Sequence, residues 1–277
     1  GEELSAIYQS VLDTFEEFGV DVRKAADDVA QCIEGPASIL LSVKPALGVD
    51  PKRLQDKDAA LRLKLALGED QQIRWTIGQG HVRLDIPKHP GQRYFVDAED
   101  MWRRWSRVQD ELLVPIGEDQ RGDLVMLNFS SSKTPHLLIG GTTGAGKSEA
   151  LRTILYGLAK HYGSTELRLV LVDPKGTELL EFEEIPHLEG PIGWDHDDAL
   201  GVLGTAVQEM QARYKLMKDA RQRTLAEYNA TVVEGERLPW KVIVLDEYGE
   251  ITSDRESKKL VEQQLKRLAQ KGRACGI

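Results

Sequence analysis

Apolar residues recur at three- and four-residue spacing from Leu4 through Ile7, Tyr8, Val11, Leu12, Phe15 and Phe18, which predicts an amphipathic helix over 4–18 closed by Gly19. The stripe reads as a core face rather than a partner site. After Gly35-Pro36 the run at 38–43 predicts a strand, broken by Pro45 and Gly48. Pro51 opens a helix that carries Leu54, Leu61 and Leu65 on one face and ends at Gly68. Two strands follow at 73–77 and 82–86, joined by Gly78-Gln79-Gly80 as a hairpin, and Pro87 and Pro90-Gly91 close the unit. The expected arrangement is a small α+β domain over residues 1–96.

Residues 97–134 read as a connector. It holds a helix at 98–108 bearing Trp102 and Trp105, whose packing in a core or at an interface the pattern leaves open, and a strand pair at 112–116 and 124–129. From 135 to 277 strand and helix alternate, which implies a parallel sheet with helices on both faces. The expected helices lie at 148–161, 197–217, 224–230 and 256–270, and the strands at 137–139, 167–172 and 240–245. The fold class expected is α/β: a P-loop NTPase sheet preceded by the small α+β domain.

The chemistry gathers at Gly141-Thr142-Thr143-Gly144-Ala145-Gly146-Lys147-Ser148, which fits the phosphate-loop pattern G-x-x-x-x-G-K-[ST] between a strand and a helix. Glycines let the backbone turn so that successive N–H groups face a polyphosphate, and the helix N-terminus adds positive potential. Lys147 would reach the β- and γ-phosphates, and the Ser148 hydroxyl would ligate Mg²⁺. The apolar run 242–245 ends in Asp246-Glu247. Asp246 would hold the magnesium and its waters, and Glu247 would orient or deprotonate the attacking water. The catalytic candidates are therefore Lys147, Asp246 and Glu247, the metal ligands Ser148 and Asp246, and the cofactors ATP and Mg²⁺.

Composition narrows the class without naming it. The chain has 277 residues, 41% hydrophobic and 29% charged, as in a globular protein, and no apolar run reaches the roughly 20 residues that span a bilayer. Cys32 and Cys275 have no metal-ligand spacing and suit a reducing cytoplasm, the localisation expected. Net charge is −9, from 36 basic and 45 acidic residues, which argues against a broad basic nucleic-acid coat but not against contact through a few loops.

The loop in its setting from Pro135-His136 to Ser148 resembles the FtsK/SpoIIIE family of DNA-translocating ATPases. So do Val172-Asp173-Pro174-Lys175, Ile185-Pro186-His187-Leu188, Met210 with Arg213-Tyr214-Lys215-Leu216-Met217, Arg223-Thr224-Leu225, Tyr228-Asn229, Leu245-Asp246-Glu247-Tyr248 and Arg273-Ala274-Cys275-Gly276-Ile277. Glu34-Gly35-Pro36, Leu47-Gly48-Val49 and residues 82–87 look like the module that precedes the family's motor. The resemblance implies a RecA-like motor, a homo-hexameric ring and double-stranded DNA driven by ATP hydrolysis. The setting could be conjugative transfer or a restriction or phage-defence system, with partner proteins to match. Type VII secretion ATPases look similar, and a polypeptide substrate is the alternative. The resemblance makes Asp173-Pro174-Lys175 a feature near the nucleotide, with a proline-stopped strand end as the plainer reading. Arg223 and Arg273 are candidates for an arginine finger or for surface charge. Lys258, Lys259, Lys266, Arg267 and Lys271 are a solvated face unless their helix lines the channel. In related motors the next sheet strand begins at the place of Gly276-Ile277, between the phosphate-loop strand and the Asp246 strand, so the motor is expected to be incomplete at its C-terminus.

Overall fold

The computed structural model describes residues 2–25, 31–78, 80–142 and 144–277. The chain divides into two compact units, Gly1–Met101 with Gly117–Val125, and Trp102–Ile116 with Met126–Ile277.

In the first unit, helix α1 (Glu2–Glu17) is followed by β1 (Val22–Lys24), β2 (Cys32–Glu34) and β3 (Ser38–Pro45). Two short helices, α2 (Lys52–Gln55) and α3 (Asp58–Lys64), precede β4 (Arg74–Gly78) and β5 (His81–Pro87). The sheet is antiparallel in the order β1-β3-β5-β4, and β2 pairs with β3 beyond the end of β1. Alternation sends Leu41 and Val43 of β3 and Val82 and Leu84 of β5 inward, where they meet Val11 and Phe15 of α1 and Leu54 and Leu61 of α2 and α3. The Tyr8 hydroxyl donates to the Ser42 carbonyl at 2.9 Å and fixes α1 on the sheet.

The single helix expected from Pro51 to Gly68 is instead two, because Lys57 at φ −96°, ψ 8° leaves the helical region. Both fragments still point one leucine inward, since Leu54 and Leu61 lie seven residues apart and both are fully buried. The hairpin of β4 and β5 pairs Ile77 with Val82 and Gly78 with His81; Gln79 of its turn lies outside the described residues.

Helix α4 (Ala98–Arg104) stops short of the expected Val108, leaving Trp105 beyond its end. Strands β6 (Leu113–Glu118) and β7 (Leu124–Asn128) form the two-stranded sheet that the pattern suggested.

The second unit contains α5 (Lys147–His161), β8 (Leu167–Val172), α6 (His196–Asp219), α7 (Leu225–Asn229), β9 (Trp240–Leu245), α8 (Tyr248–Ile251) and α9 (Arg255–Lys271). Strands β8 and β9 are parallel, from Leu167 beside Trp240 to Val172 beside Leu245. On the other edge of β8, Leu188 and Gly193 bridge to Leu169 and Val172. Val172, Leu203, Val207 and Met210 pack with Val261 and Leu268 of α9 as one core. Side chains cap the helices: Asp195 accepts from the Asp198 N–H, Thr224 from Glu227, and Asp254 from Glu256 and Ser257.

One expected strand is absent. Leu137-Leu138-Ile139 forms no ladder with any described strand, and Leu138 is 90% exposed. Apolar content alone does not make a strand; the backbone needs a neighbour to exchange hydrogen bonds with, and none lies alongside among the described residues.

Candidate functional site

Parallel pairing brings the carboxyl ends of β8 and β9 to one edge, where ligand sites of α/β sheets gather. The register puts Asp173 and Asp246 one step past the paired residues Val172 and Leu245, and the Asp246 N–H donates to the Val172 carbonyl at 2.9 Å.

The phosphate loop meets this edge. Gly144 (φ +80°) and Gly146 (φ +87°) take left-handed conformations that β-carbon-bearing residues avoid. Gly146 is the N-cap of α5 and offers no side chain, so no cap closes over the first-turn N–H groups. Such an uncapped terminus is a site for an anion. Thr143 of the loop lies outside the described residues. Gly141, Thr142 and Ala145 lie in the loop, and the Ala145 N–H donates to the Thr142 carbonyl at 3.0 Å.

Lys147 begins α5, and its ammonium stands 3.2 Å from Asp246 Oδ1 and 3.1 Å from Glu247 Oε1. Hydrogen bonding to Glu247, then to Asp246, holds the Lys147 pKa above its ordinary value. The same contact with Lys147, then one with Lys175, holds the Glu247 carboxyl below the usual carboxylate range. Glu247 sits at φ 47°, ψ 52°, left-handed for a residue that is not glycine. Backbone held in a sparsely populated region is found where surrounding structure over-determines it, often at functional sites.

Asp246 is 5% exposed, and its Oδ2 has no hydrogen-bond partner. A buried carboxylate oxygen left without a donor fits a cation or the water of one. Ser148 is half-buried in the first turn of α5. Among the described residues no group of three or more His, Cys, Asp and Glu side chains could cage a metal. Magnesium keeps most of its water and is held by one or two protein ligands and substrate phosphates. Ser148 and Asp246 are the residues that would hold it.

The Asp173 carboxylate is engaged by the loop that follows it. It is fully buried; its Oδ1 accepts from the backbone N–H groups of Lys175 (3.2 Å) and Gly176 (3.0 Å), and its Oδ2 from Glu178 (2.9 Å) and Leu179 (3.0 Å). The carboxylate thus folds the loop after β8 around itself, and that loop extends Lys175 to Glu247 Oε2 at 3.3 Å. The sequence signal for this role was an acid at a strand end followed by Pro and Gly.

Arg213 is buried in α6. Its buried guanidinium binds Glu209 through two nitrogens, at 2.9 and 2.7 Å, and donates to the carbonyls of Pro239 (2.7 Å) and Cys275 (2.9 Å). Lys241, inside the apolar strand β9, is buried against Glu209 and lies 2.6 Å from Glu189. This network ties α6 to β9 and does not approach the acid pair through any of its hydrogen bonds. Of the two arginine-finger candidates, Arg223 is exposed and engages Glu227 only through its backbone N–H at 2.7 Å. Arg273 is half-buried and reaches the Ser130 carbonyl at 3.5 Å. Lys258, Lys259, Lys266, Arg267 and Lys271 are all exposed on α9, and Lys258 lies 3.9 Å from Glu262. No helix among the described residues is long and apolar enough to cross a membrane.

The DNA translocase FtsK of Caldanaerobacter subterraneus is 31% identical over 269 residues, which cover 97% of this chain and 36% of that protein. The chain therefore spans little more than a third of the length of that curated relative. The solved pCW3 conjugation coupling protein TcpA, in its monomer form with ATPγS, shares the fold at 22% identity and a TM-score of 0.56, covering 97% of this chain and 74% of that one. The cytoplasmic domain of the type VII secretion ATPase EccC of Thermomonospora curvata is similar at 30% identity and a TM-score of 0.52, over 66% of this chain and 22% of that one. The FtsK/SpoIIIE family model matches residues 97–277, the stretch that carries the phosphate loop, the Asp173 loop and the acid pair, and on that match the chain belongs to the FtsK/SpoIIIE family.

Proposed function

We propose that this chain carries the ATP-hydrolysing motor of a double-stranded DNA translocase. The observation that carries the reading is the ammonium of Lys147 held between Asp246 and Glu247, at the foot of an uncapped, glycine-shaped helix N-terminus. The loop amides and Lys147 bind the triphosphate. Ser148 and Asp246 would hold magnesium, which when bound would neutralise charge on the nucleotide's phosphates. Glu247 receives a hydrogen bond from the attacking water and aims it.

The relatives named as DNA translocases support DNA as the substrate. The chain's net charge of −9 restricts DNA contact to local surfaces, mostly against phosphates, as movement over any sequence requires. We further infer a homo-hexameric ring working in the cytoplasm. Service in conjugative transfer is favoured by the likeness to a conjugation coupling protein. A defence complex is the other setting that fits.

The similarity to EccC favours one second reading, a protein-secretion motor with a polypeptide substrate. Stimulated ATP turnover separates the two. Duplex DNA raises turnover of a DNA motor, and the effect falls steeply as salt rises. Turnover that responds to a peptide and ignores DNA replaces the first reading with the second.

A further inference from the structure

Glu247 is held from two sides. Lys147 Nζ reaches its Oε1 at 3.1 Å, and Lys175 Nζ reaches its Oε2 at 3.3 Å. The two ammonium groups come from different places and have different prospects. Lys147 belongs to the phosphate loop and turns to the phosphates when a nucleotide enters. Lys175 belongs to the loop after β8, outside the phosphate loop.

That loop is fixed from beneath and from the side. Below it, the buried Asp173 carboxylate accepts the N–H groups of Lys175, Gly176, Glu178 and Leu179. Beside it, Gly176 at φ +64° lies so close to the Trp194 ring that an added Cβ would stand 2.9 Å from a ring carbon. The Lys175 backbone is thus set by its neighbours, and its side chain alone spans the distance to Glu247. The charged groups facing Glu247 are Lys147 from α5, Asp246 from the end of β9 and Lys175 from this loop.

We propose that Lys175 is a positioning residue: it keeps Oε2 of Glu247 anchored once Lys147 has left for the nucleotide. Departure of Lys147 frees Oε1 to accept a hydrogen bond from water, while the other oxygen stays tethered, so the carboxylate does not swing out into solvent. A half-exposed ion pair of this kind adds little to stability, and its value lies in orientation. The inference rests on the ATPase reading above.

The test compares Lys175→Ala, Lys175→Arg and Glu247→Gln by equilibrium binding of a nonhydrolysable ATP analogue and by steady-state hydrolysis with duplex DNA. Lys175→Ala should bind the analogue within about twofold of the unaltered protein and keep its KM, while kcat falls about tenfold or more. Lys175→Arg, which restores a cation at the same reach, should recover most of that kcat. Full turnover in Lys175→Ala overturns the proposal. So does a loss of analogue affinity of about tenfold, because Lys175 would then be gripping phosphate itself. Persistent turnover in Glu247→Gln is a different failure: it removes Glu247 from the chemistry, and the role of Lys175 with it, while ATP hydrolysis by the chain stands.

Discussion

Lys147 Nζ lies 3.1 Å from Glu247 Oε1, joining residues a hundred positions apart in the chain. The ammonium that would grip a triphosphate is already the partner of the acid that would aim the water. A nucleotide entering the loop must therefore exchange one anion for another on Lys147. This exchange costs little, because Lys147 and Glu247 are both about a quarter exposed and water replaces what each loses.

From this follows an opposite effect of Glu247→Gln on binding and on rate. The amide removes the charge that competes with phosphate for Lys147, so nucleotide affinity should be unchanged or rise, by about tenfold at most. Hydrolysis should fall by about 10²- to 10⁴-fold, the usual worth of a positioned general base. Calorimetric titration and a phosphate-release assay measure the two separately. A variant that binds more weakly and still turns over would reverse the assignment.

Asp173→Asn tests the loop that carries Lys175. Asparagine has nearly the size and shape of aspartate, yet it can offer only one carbonyl oxygen where the structure uses two carboxylate oxygens, each accepting two N–H groups. Its NH₂ group would face two backbone donors. At a fully buried position we expect a loss of about 3–6 kcal/mol, read from urea unfolding, since hydrogen bonds to a charged group contribute about 1.5–3 kcal/mol each and two would be lost. ATP turnover should drop with it.

The legible part of this protein is the part whose chemistry is local. A phosphate loop needs its glycines, lysine and serine in consecutive positions, and Asp246-Glu247 needs a buried strand directly before it. Residues 141–148 and 240–247 could be read without knowing what lay beside them. Lys175 and Asp173 could not be assigned in the same way, because their roles depend on the register of β8 against β9 and on where the loop after β8 turns. The same division holds for the fold. Long periodic elements such as α6 and α9 matched expectation to within a few residues. The three-residue strands β1 and β2 went unseen, because they exist only as partners of β3. Residues 137–139 show the converse, an apolar run that is no strand without a neighbour.

Gly157, in the middle of α5, is a packing glycine rather than a flexible one. A Cβ there would stand 2.8 Å from Trp102 Nε1 and 2.8 Å from Val114 Cγ2. Gly157→Ala raises helix propensity by about 1 kcal/mol, which alone would stabilise. Overpacking against an indole and a buried valine opposes it by about 1–3 kcal/mol, and we expect the second effect to win. Thermal unfolding should show a lower midpoint for this variant. The comparison is Gly204→Ala in α6, where a Cβ would meet nothing within 4 Å and the midpoint should rise.

Cys275 supplies the pH dependence. Burial away from water is the largest influence on its thiol and pushes the pKa up to about 11, while its Sγ donates to the Gly272 carbonyl at 3.1 Å. At pH 8 only about one in a thousand of these groups is thiolate, so native protein treated with iodoacetamide should be alkylated at Cys32 and spared at Cys275. Cys32 is itself raised, by burial and then by Glu34, and should react more slowly than a free thiol. The linkage has a definite sign. A group whose folded pKa is raised favours the folded state fully below its unfolded value of 9.0 and loses that contribution as pH climbs toward about 11. Urea midpoints measured from pH 8 to 11 should therefore fall less steeply for Cys275→Ala than for the unaltered protein. Removing the side chain lowers the whole curve through the cavity it leaves, so the slope and not the level carries the test. Equal slopes would mean that the Cys275 thiol has the same pKa folded and unfolded, so that burial does not hold its proton.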